Sequence, residues 1–266
     1  MNGKVTIKTL KSMKERKEKI SALTCYNYYL ARILNEAGTD MLLVGDSLGM
    51  VEIGYDSTLP VTISDMLCYL KSVKRGNTRS LLVVDMPYMS YNFNRRETLA
   101  NAGRLVKAGA EAVKIEGGSE TRSTIRLLLD HNIPVMGHLG LTPQGINRLG
   151  GYRVQGRTQQ EKDNLIREAR KLESYGVFSL VLECVTDDCA RQISRELSIP
   201  VIGIGSGKHC DGQILVLNDM LGLFPGKKPQ FVKQYALLAH TIQQAVNRYC
   251  REVKKGSYPT KKYSYR

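Results

Sequence analysis

The sequence predicts a closed barrel of eight parallel strands alternating with helices, a (β/α)8 TIM barrel, and three observations lead there. Four short apolar runs each end on a carboxylate: Met41–Val44 leads into Gly45-Asp46-Ser47, Leu81–Val84 into Asp85, Ala112–Ile115 into Glu116, and Ser179–Leu182 into Glu183. A fifth run, Ile133–Met136, ends on Gly137-His138. In such a barrel the carboxyl ends of all the strands share one polar face, so charged groups recurring there are expected. Second, strand-like and helix-like segments alternate, and the strand runs are continuously apolar, as parallel strands buried on both faces must be. Third, the length of 266 residues is close to the roughly 250 of one such barrel. A doubly wound open sheet would alternate in the same way, but eight units with acids at so many strand ends favour closure. Residues 1–266 are therefore expected to form a single catalytic domain with a basic N-terminal segment and a loose basic tail.

Ile20–Thr24 reads as the first strand, and Tyr28–Glu36 as an amphipathic helix that Gly38 ends before the strand Met41–Val44. Thr62-Ile63-Ser64-Asp65 has the spacing of a capping box and opens a helix running toward Arg75. The alternation continues through Leu81–Val84, Arg96–Lys107, Ala112–Ile115, Thr121–Asp130 and Ile133–Met136. Gln159–Tyr175, Ser179–Leu182, Asp187–Glu196 and Val201–Ile204 follow, Ile214–Leu217 supplies the eighth strand, and Phe231–Val253 reads as a long closing helix. Two connections are longer than the rest, Gly49–Val61 and Leu139–Gln159, and long glycine-bearing loops at this end of a barrel serve as substrate loops or lids. Only the last ten residues read as loose.

A hydrophobic content of 42% is enough for a core. No run approaches the ~20 apolar residues of a membrane span, and the charged N-terminus lacks the apolar stretch of a signal peptide, so a cytoplasmic location is expected. The net charge of +14 raises the question of nucleic acid. Residues 1–20 hold seven Lys/Arg against two Glu, and residues 251–266 six against one, so the excess sits at the two ends. No basic helix interleaved with aromatics lies between them, and the ends read as solvated rather than as a nucleic-acid surface. The six cysteines form no CxxC pair. Cys184-x4-Cys189 near His209-Cys210 would be an unusual soft-metal site, whereas reduced, mostly buried thiols fit the scatter better.

Lys114 and Glu116 are two apart on a strand, hence on one face, which in a barrel is the interior. A structural ion pair would explain them alone. Asp46, Asp85 and Glu116 together would repel one another unless a cation or protons intervened. Oxygen ligands select a hard divalent ion, Mg2+, with water or substrate oxygens completing its shell. Such an ion acts as a Lewis acid on a carbonyl; chelated by a 2-oxo acid, it would ease removal of the proton beside the ketone and stabilise the enolate. Lys114 would balance substrate charge and His138 would hydrogen-bond the oxo acid. Glu183 is left as the base, since a partly desolvated Glu has a raised pKa suited to proton abstraction; a rim salt bridge is its structural alternative. Gly203-Ile204-Gly205-Ser206-Gly207 admits either a phosphate cradle or a tight backbone passage, and it lacks the lysine of a P-loop.

In this order, the segments Val44–Met50, Asp56–Thr62, Val113–Gly118, Gly137–Gln144, Gly151–Arg157, Leu182–Cys184, Ile202–Gly205 and Asp211–Val216 closely resemble the ketopantoate hydroxymethyltransferase family, over roughly residues 5–255. The resemblance implies a barrel of the phosphoenolpyruvate/pyruvate-binding type. It implies transfer of a hydroxymethyl group from 5,10-methylenetetrahydrofolate to 3-methyl-2-oxobutanoate, giving 2-dehydropantoate for pantothenate and coenzyme A. By match to the family pattern, Asp46, Asp85 and Glu116 would surround one Mg2+ per subunit. Asp46, Ser47, Asp85, Lys114 and His138 would bind the oxo acid, and Glu183 would accept the C3 proton. A cytoplasmic homo-oligomer, decameric in the family, is implied, with small-molecule substrates and neither nucleic acid nor membrane as partner. The chain departs from the family in having Asn27 where an Asp is usual, Ser206 where Ala is frequent, and a more basic tail. The alternatives are another Mg2+-dependent oxo-acid barrel, such as a carbon–carbon lyase of the phosphoenolpyruvate mutase and isocitrate lyase type, or a basic nucleic-acid-binding protein.

Overall fold

Eight strands, β1 (Ile20–Thr24), β2 (Met41–Val44), β3 (Leu81–Asp85), β4 (Ala112–Glu116), β5 (Val135–Gly140), β6 (Ser179–Glu183), β7 (Val201–Ile204) and β8 (Gly212–Leu215), pair in parallel, each with its sequence neighbours. β8 pairs back onto β1, so the computed structural model is a closed barrel, as the strand-end acids predict. The structure describes residues 3–151, 153–224 and 228–265, without the side chains of Arg148 and Leu149. Met1, Asn2 and Arg266 of the basic ends, and Tyr152 of the second long loop, lie outside the described residues.

The helices that follow the strands are α2 (Tyr28–Glu36), α3 (Ile63–Gly76), α4 (Arg95–Lys107), α5 (Arg122–Asp130), α7 (Gln159–Tyr175) and α8 (Asp187–Glu196), each burying an apolar stripe toward the strands. The capping box at Thr62 forms: its hydroxyl accepts the Asp65 N–H at 3.2 Å and Asp65 Oδ2 accepts the Thr62 N–H at 2.9 Å. Asn27 caps α2, its Oδ1 accepting the Leu30 N–H at 2.9 Å. A carboxylate would make the same bond, so this exchange leaves the helix start intact. The first long loop holds a π-helical turn, Gly49–Ile53. The second holds a 3-10 turn, Pro143–Gly145, and a short helix, α6 (Ile146–Leu149).

An element the sequence pattern did not show precedes β1: α1 (Ile7–Glu15), with Leu10 fully buried. Burial of that one side chain contributes about 1.5–3 kcal/mol. Its flanking lysines are bound at the strand-entry end of the barrel. Lys4 Nζ donates to Glu111 Oε2 and Ser80 O, both at 2.6 Å, and Lys14 Nζ to Asp211 Oδ2 at 2.6 Å and Ser194 O at 3.0 Å. The N-terminal segment is therefore anchored through Leu10, Lys4 and Lys14, while Lys8, Lys11, Arg16, Lys17 and Lys19 stay exposed, as solvated basic ends predict.

Two predicted spans shift. The eighth strand starts at Gly212, two residues before the apolar run, because Gly212 pairs with both Ile20 and Ile202. β5 extends to Gly140, which places His138 inside the strand rather than beyond it.

The described chain falls into two compact units, one up to Val216 and one from Leu217 onward. The second contains α9 (Leu217–Met220) and α10 (Leu238–Lys254). Residues 231–237 do not join the closing helix as predicted; the Tyr235 and Leu238 N–H groups donate instead to Met220 O and Leu221 O, at 2.8 and 3.0 Å. The tail, expected to be loose, carries a 3-10 turn at Lys261–Tyr263, with the Tyr258 ring 5.6 Å from that of Tyr249 and 5.9 Å from that of Tyr263. Tyr258 meets Tyr249 edge-on and Tyr263 at a tilt, and these ring contacts are what the composition of the tail conceals.

Candidate active site

Strand register assembles the site. Asp85 is the partner of Lys114 across β3 and β4, Glu116 of His138 across β4 and β5, and Gly140 of Glu183 across β5 and β6. The ends of four adjacent strands thus set an acid, a base or a cation side by side, and Asp46 joins them from the turn after β2. Asp46, Asp85, Lys114, Glu116 and His138 are all buried, and Glu183 is the more open member.

Lys114 Nζ lies 3.0 Å from Asp85 Oδ1 and 3.7 Å from Glu116 Oε1. His138 reaches both ways, with Nδ1 3.2 Å from Glu116 Oε1 and Nε2 3.4 Å from Glu183 Oε2. Asp85 Oδ2 accepts the backbone N–H of Asp46 at 3.0 Å. Ser47 Oγ pairs at 2.8 Å with the hydroxyl of Tyr26, which is wholly buried. All seven residues singled out from the sequence therefore meet at one end of the barrel.

The electrostatics follow from burial. Desolvation, reinforced by the charges of Asp85 and Glu116, holds the Asp46 carboxyl well above the ordinary carboxylate range. Burial also raises Asp85, against the pull of Lys114. Glu116 moves down despite burial, because His138, Lys114 and the Gln144 N–H favour its anion. Lys114 is held protonated by Asp85, Glu116 and Asp46 although burial opposes it. Two cations, Lys114 and His138, stand among four acids, Asp46, Asp85, Glu116 and Glu183, and the hydrogen-bond angles leave Asp85 Oδ1 without a hydrogen bond. That donor set suits a hard divalent cation. Among the described residues no three His, Cys, Asp or Glu side chains form a ready-made metal cage.

Two buried residues of the site went unsingled in the sequence, Gln144 and Tyr91. The Gln144 N–H donates to Glu116 Oε2 at 3.0 Å, and its Nε2 to Asp46 Oδ2 at 2.8 Å and Met86 O at 3.0 Å. The Tyr91 hydroxyl donates to Gln144 Oε1 at 2.8 Å. Gln144 closes one of the resembling segments, which was a signal; Tyr91 stands in a loop with no pattern around it.

Glu183 is fixed from behind. Its carbonyl accepts the Leu141 N–H at 2.8 Å. Cys184 follows with φ 50, a conformation uncommon outside glycine, held by its N–H on Ile204 O at 2.8 Å and by the Gln155 N–H on its carbonyl at 2.7 Å. Gln155 so joins the second long loop to the exit of β6. Ser206 Oγ donates to Leu182 O at 2.8 Å and accepts the Val185 N–H at 3.1 Å, a task no alanine performs. A Cβ on Gly207 would run into Asp187, so the glycine run is a tight passage of backbone beside β6. The six cysteines are free: Cys25, Cys189 and Cys210 are buried, Cys184 half-buried, Cys68 and Cys250 exposed.

Fold and site together define an enzyme of the (β/α)8 class. In fold the chain is similar to phosphonopyruvate hydrolase, solved as a complex with oxalate and Mg++ (TM-score 0.62, 12% identical, covering 97% of this chain and 93% of that one). It is likewise similar to 2,3-dimethylmalate lyase, a PEP mutase/isocitrate lyase superfamily member (TM-score 0.59, 15% identical, 97% and 91% covered). The model of the ketopantoate hydroxymethyltransferase family matches residues 4–261, and the chain belongs to that family. It is 50% identical over 263 residues to the 3-methyl-2-oxobutanoate hydroxymethyltransferase of Caldicellulosiruptor bescii, covering 99% of this chain and 100% of that one. To the protein of the same name from Thermotoga maritima it is 49% identical over 261 residues, 98% and 96% covered.

Proposed function

We propose that the chain is a 3-methyl-2-oxobutanoate hydroxymethyltransferase: with water, it transfers a one-carbon unit from 5,10-methylenetetrahydrofolate to C3 of 3-methyl-2-oxobutanoate, releasing 2-dehydropantoate and tetrahydrofolate, on the route to pantothenate and coenzyme A. The observation that carries the reading is His138 bridging Glu116 and Glu183 beside Lys114, in a chain half identical to enzymes of that name. Asp46 and Asp85 would hold one Mg2+, and Glu116, whose oxygens are taken by His138, Lys114 and Gln144, would reach it through water. When bound, the ion supplies Lewis-acid polarisation of the 2-oxo group.

The protein's own groups do the rest. Lys114 balances the carboxylate of the oxo acid, and Ser47, oriented by Tyr26, donates to it. His138 hydrogen-bonds the bound oxo acid on the side facing Glu183. Glu183 takes the C3 proton. Water adds to the folate methylene carbon as its two C–N bonds break, releasing tetrahydrofolate. The electron pair left at C3 attacks the resulting formaldehyde carbon, whose oxygen takes a proton to become the hydroxymethyl group. The clamp on the Glu183 carbonyl and the turn at Cys184 hold this base in one direction.

Proton NMR of 3-methyl-2-oxobutanoate in D2O with the protein and Mg2+ tests the proposal. Loss of the C3 proton, and a hydroxymethyl signal only when 5,10-methylenetetrahydrofolate is added, is the expected result. An unchanged spectrum from folded, metal-loaded protein would turn the reading to a carbon–carbon lyase.

The working form would be a cytoplasmic homo-oligomer, a homodecamer by family, with small molecules as its other partners. In support, α10 buries none of its residues and exposes Ile242, Val246, Tyr249 and Val253 along its length, an apolar row that a second copy would cover. Among the described residues no helix is long and apolar enough to cross a membrane.

A further inference from the structure

Gln144 has its amide orientation dictated by its neighbours. Nε2 meets Asp46 Oδ2 and Met86 O, and a backbone carbonyl only accepts hydrogen bonds, so the flipped amide would set its oxygen against that of Met86. On the other side the Tyr91 hydroxyl accepts the Glu116 N–H at 3.2 Å. Its single proton goes to the nearer acceptor, Gln144 Oε1 at 2.8 Å, rather than to Glu116 O at 3.2 Å. A directed chain results: Glu116 N–H to Tyr91, Tyr91 to Gln144, Gln144 to Asp46. The backbone N–H of Gln144 meanwhile holds Glu116 Oε2 at 3.0 Å. One residue of the second long loop thus ties down one oxygen on each of two buried acids, one in the turn after β2 and one at the end of β4.

We propose that Gln144, locked by Tyr91, is a positioning residue that decides which oxygens Asp46 and Glu116 turn toward the oxo-acid site and thereby sets the affinity of that site for a divalent cation. The proposal rests on the reading of this site as a cation site. It gives the second long loop a task beyond covering the barrel, because the site is correctly arranged only while the turn Pro143–Gly145 is seated.

Mn2+ titrated into metal-free protein, with free Mn2+ followed by electron paramagnetic resonance, is the test. Gln144→Met keeps the length of the side chain and removes its hydrogen bonds; Tyr91→Phe removes one oxygen. Gln144→Met should weaken Mn2+ binding about tenfold or more, as loss of a residue supporting a metal ligand does. Tyr91→Phe should weaken it less, and the double variant should be no weaker than Gln144→Met alone, because Tyr91 acts through the amide. Folded variants, checked by circular dichroism, that bind Mn2+ as the parent does would overturn the proposal, whatever their melting temperature. Additive losses in the double variant would overturn the lock. If Gln144→Met does not fold, an unchanged affinity in Tyr91→Phe overturns it as well. A parent that binds Mn2+ but leaves the C3 proton in place refutes the proposed transferase while the Gln144 comparison still stands; a parent that binds no Mn2+ overturns both.

Discussion

Lys114 Nζ lies 3.3 Å from His138 Nδ1, and both nitrogens reach the same oxygen, Glu116 Oε1. A proton on Nδ1 is donated to Glu116; without it, Nδ1 accepts from Lys114. The two groups therefore compete for one carboxylate, and the charge state of the imidazole is decided by the acids around it. Against burial and the Lys114 charge, Glu116 and Glu183 hold His138 protonated up to about pH 9.

That proton makes stability depend on pH. The native imidazole titrates near 9 and the unfolded one near 6.5, so between those values the native state keeps a proton that the unfolded chain has lost. The stabilisation is complete below pH ~6.5 and disappears as pH rises through about 9. The raised carboxyls of Asp46 and Asp85 act in the same direction, since they too hold protons more tightly in the native state. Melting temperatures of metal-free protein should fall across this window, and His138→Asn should flatten the fall. A melting temperature that rises from pH 6.5 to 9 would contradict the charge assignment.

Asp85→Ala and Glu116→Ala should each abolish turnover by weakening cation binding. Asp85→Ala also leaves Lys114 buried without its nearest anion, which costs about 3–5 kcal/mol of stability. Denaturant unfolding measures the second effect apart from the first. Full activity in either variant would sink the site assignment.

Glu183→Gln should bind cation and oxo acid as before and lose C3 proton exchange by about 100-fold or more, the scale of a general base. Isothermal titration and deuterium exchange read the two separately. Exchange at the parent rate would mean that another group takes the proton.

Gly140 has φ +96, and a methyl group there would run into the Glu183 carbonyl and come within 2.7 Å of Val185. Gly140→Ala should strain this junction by about 1–3 kcal/mol and slow proton removal, while Mn2+ affinity changes little because Asp46 and Asp85 lie on other strands. A variant as fast as the parent would show that the base tolerates displacement.

Much of the site was legible before the fold. Asp85, Glu116 and Glu183 close their strands because a buried parallel strand is apolar until it emerges at the barrel mouth, so an acid after such a run marks the functional end. Lys114 and Glu116 share a face by the two-residue period alone. α1 was hidden because its polar surface outweighs its one buried leucine, and it is held by lysines whose partners, Glu111 and Asp211, lie far along the chain. Tyr91 and Gln144 escaped notice for a related reason: their partners, Asp46, Met86 and Glu116, lie far from them along the chain or on other elements.

The amino-acid sequence by itself determined the order of the eight strands and of the helices between them, the barrel class and which charged side chains stand at the strand ends, because each depends on patterns within a few residues. Only the tertiary structure decided which atoms meet. That His138 spans Glu116 and Glu183, that Gln144 holds Asp46 and Glu116 together, and that Asn27 serves as a helix cap are contacts made by register, barrel closure and loop packing. Those are cooperative, long-range terms, and no local run of residues encodes them.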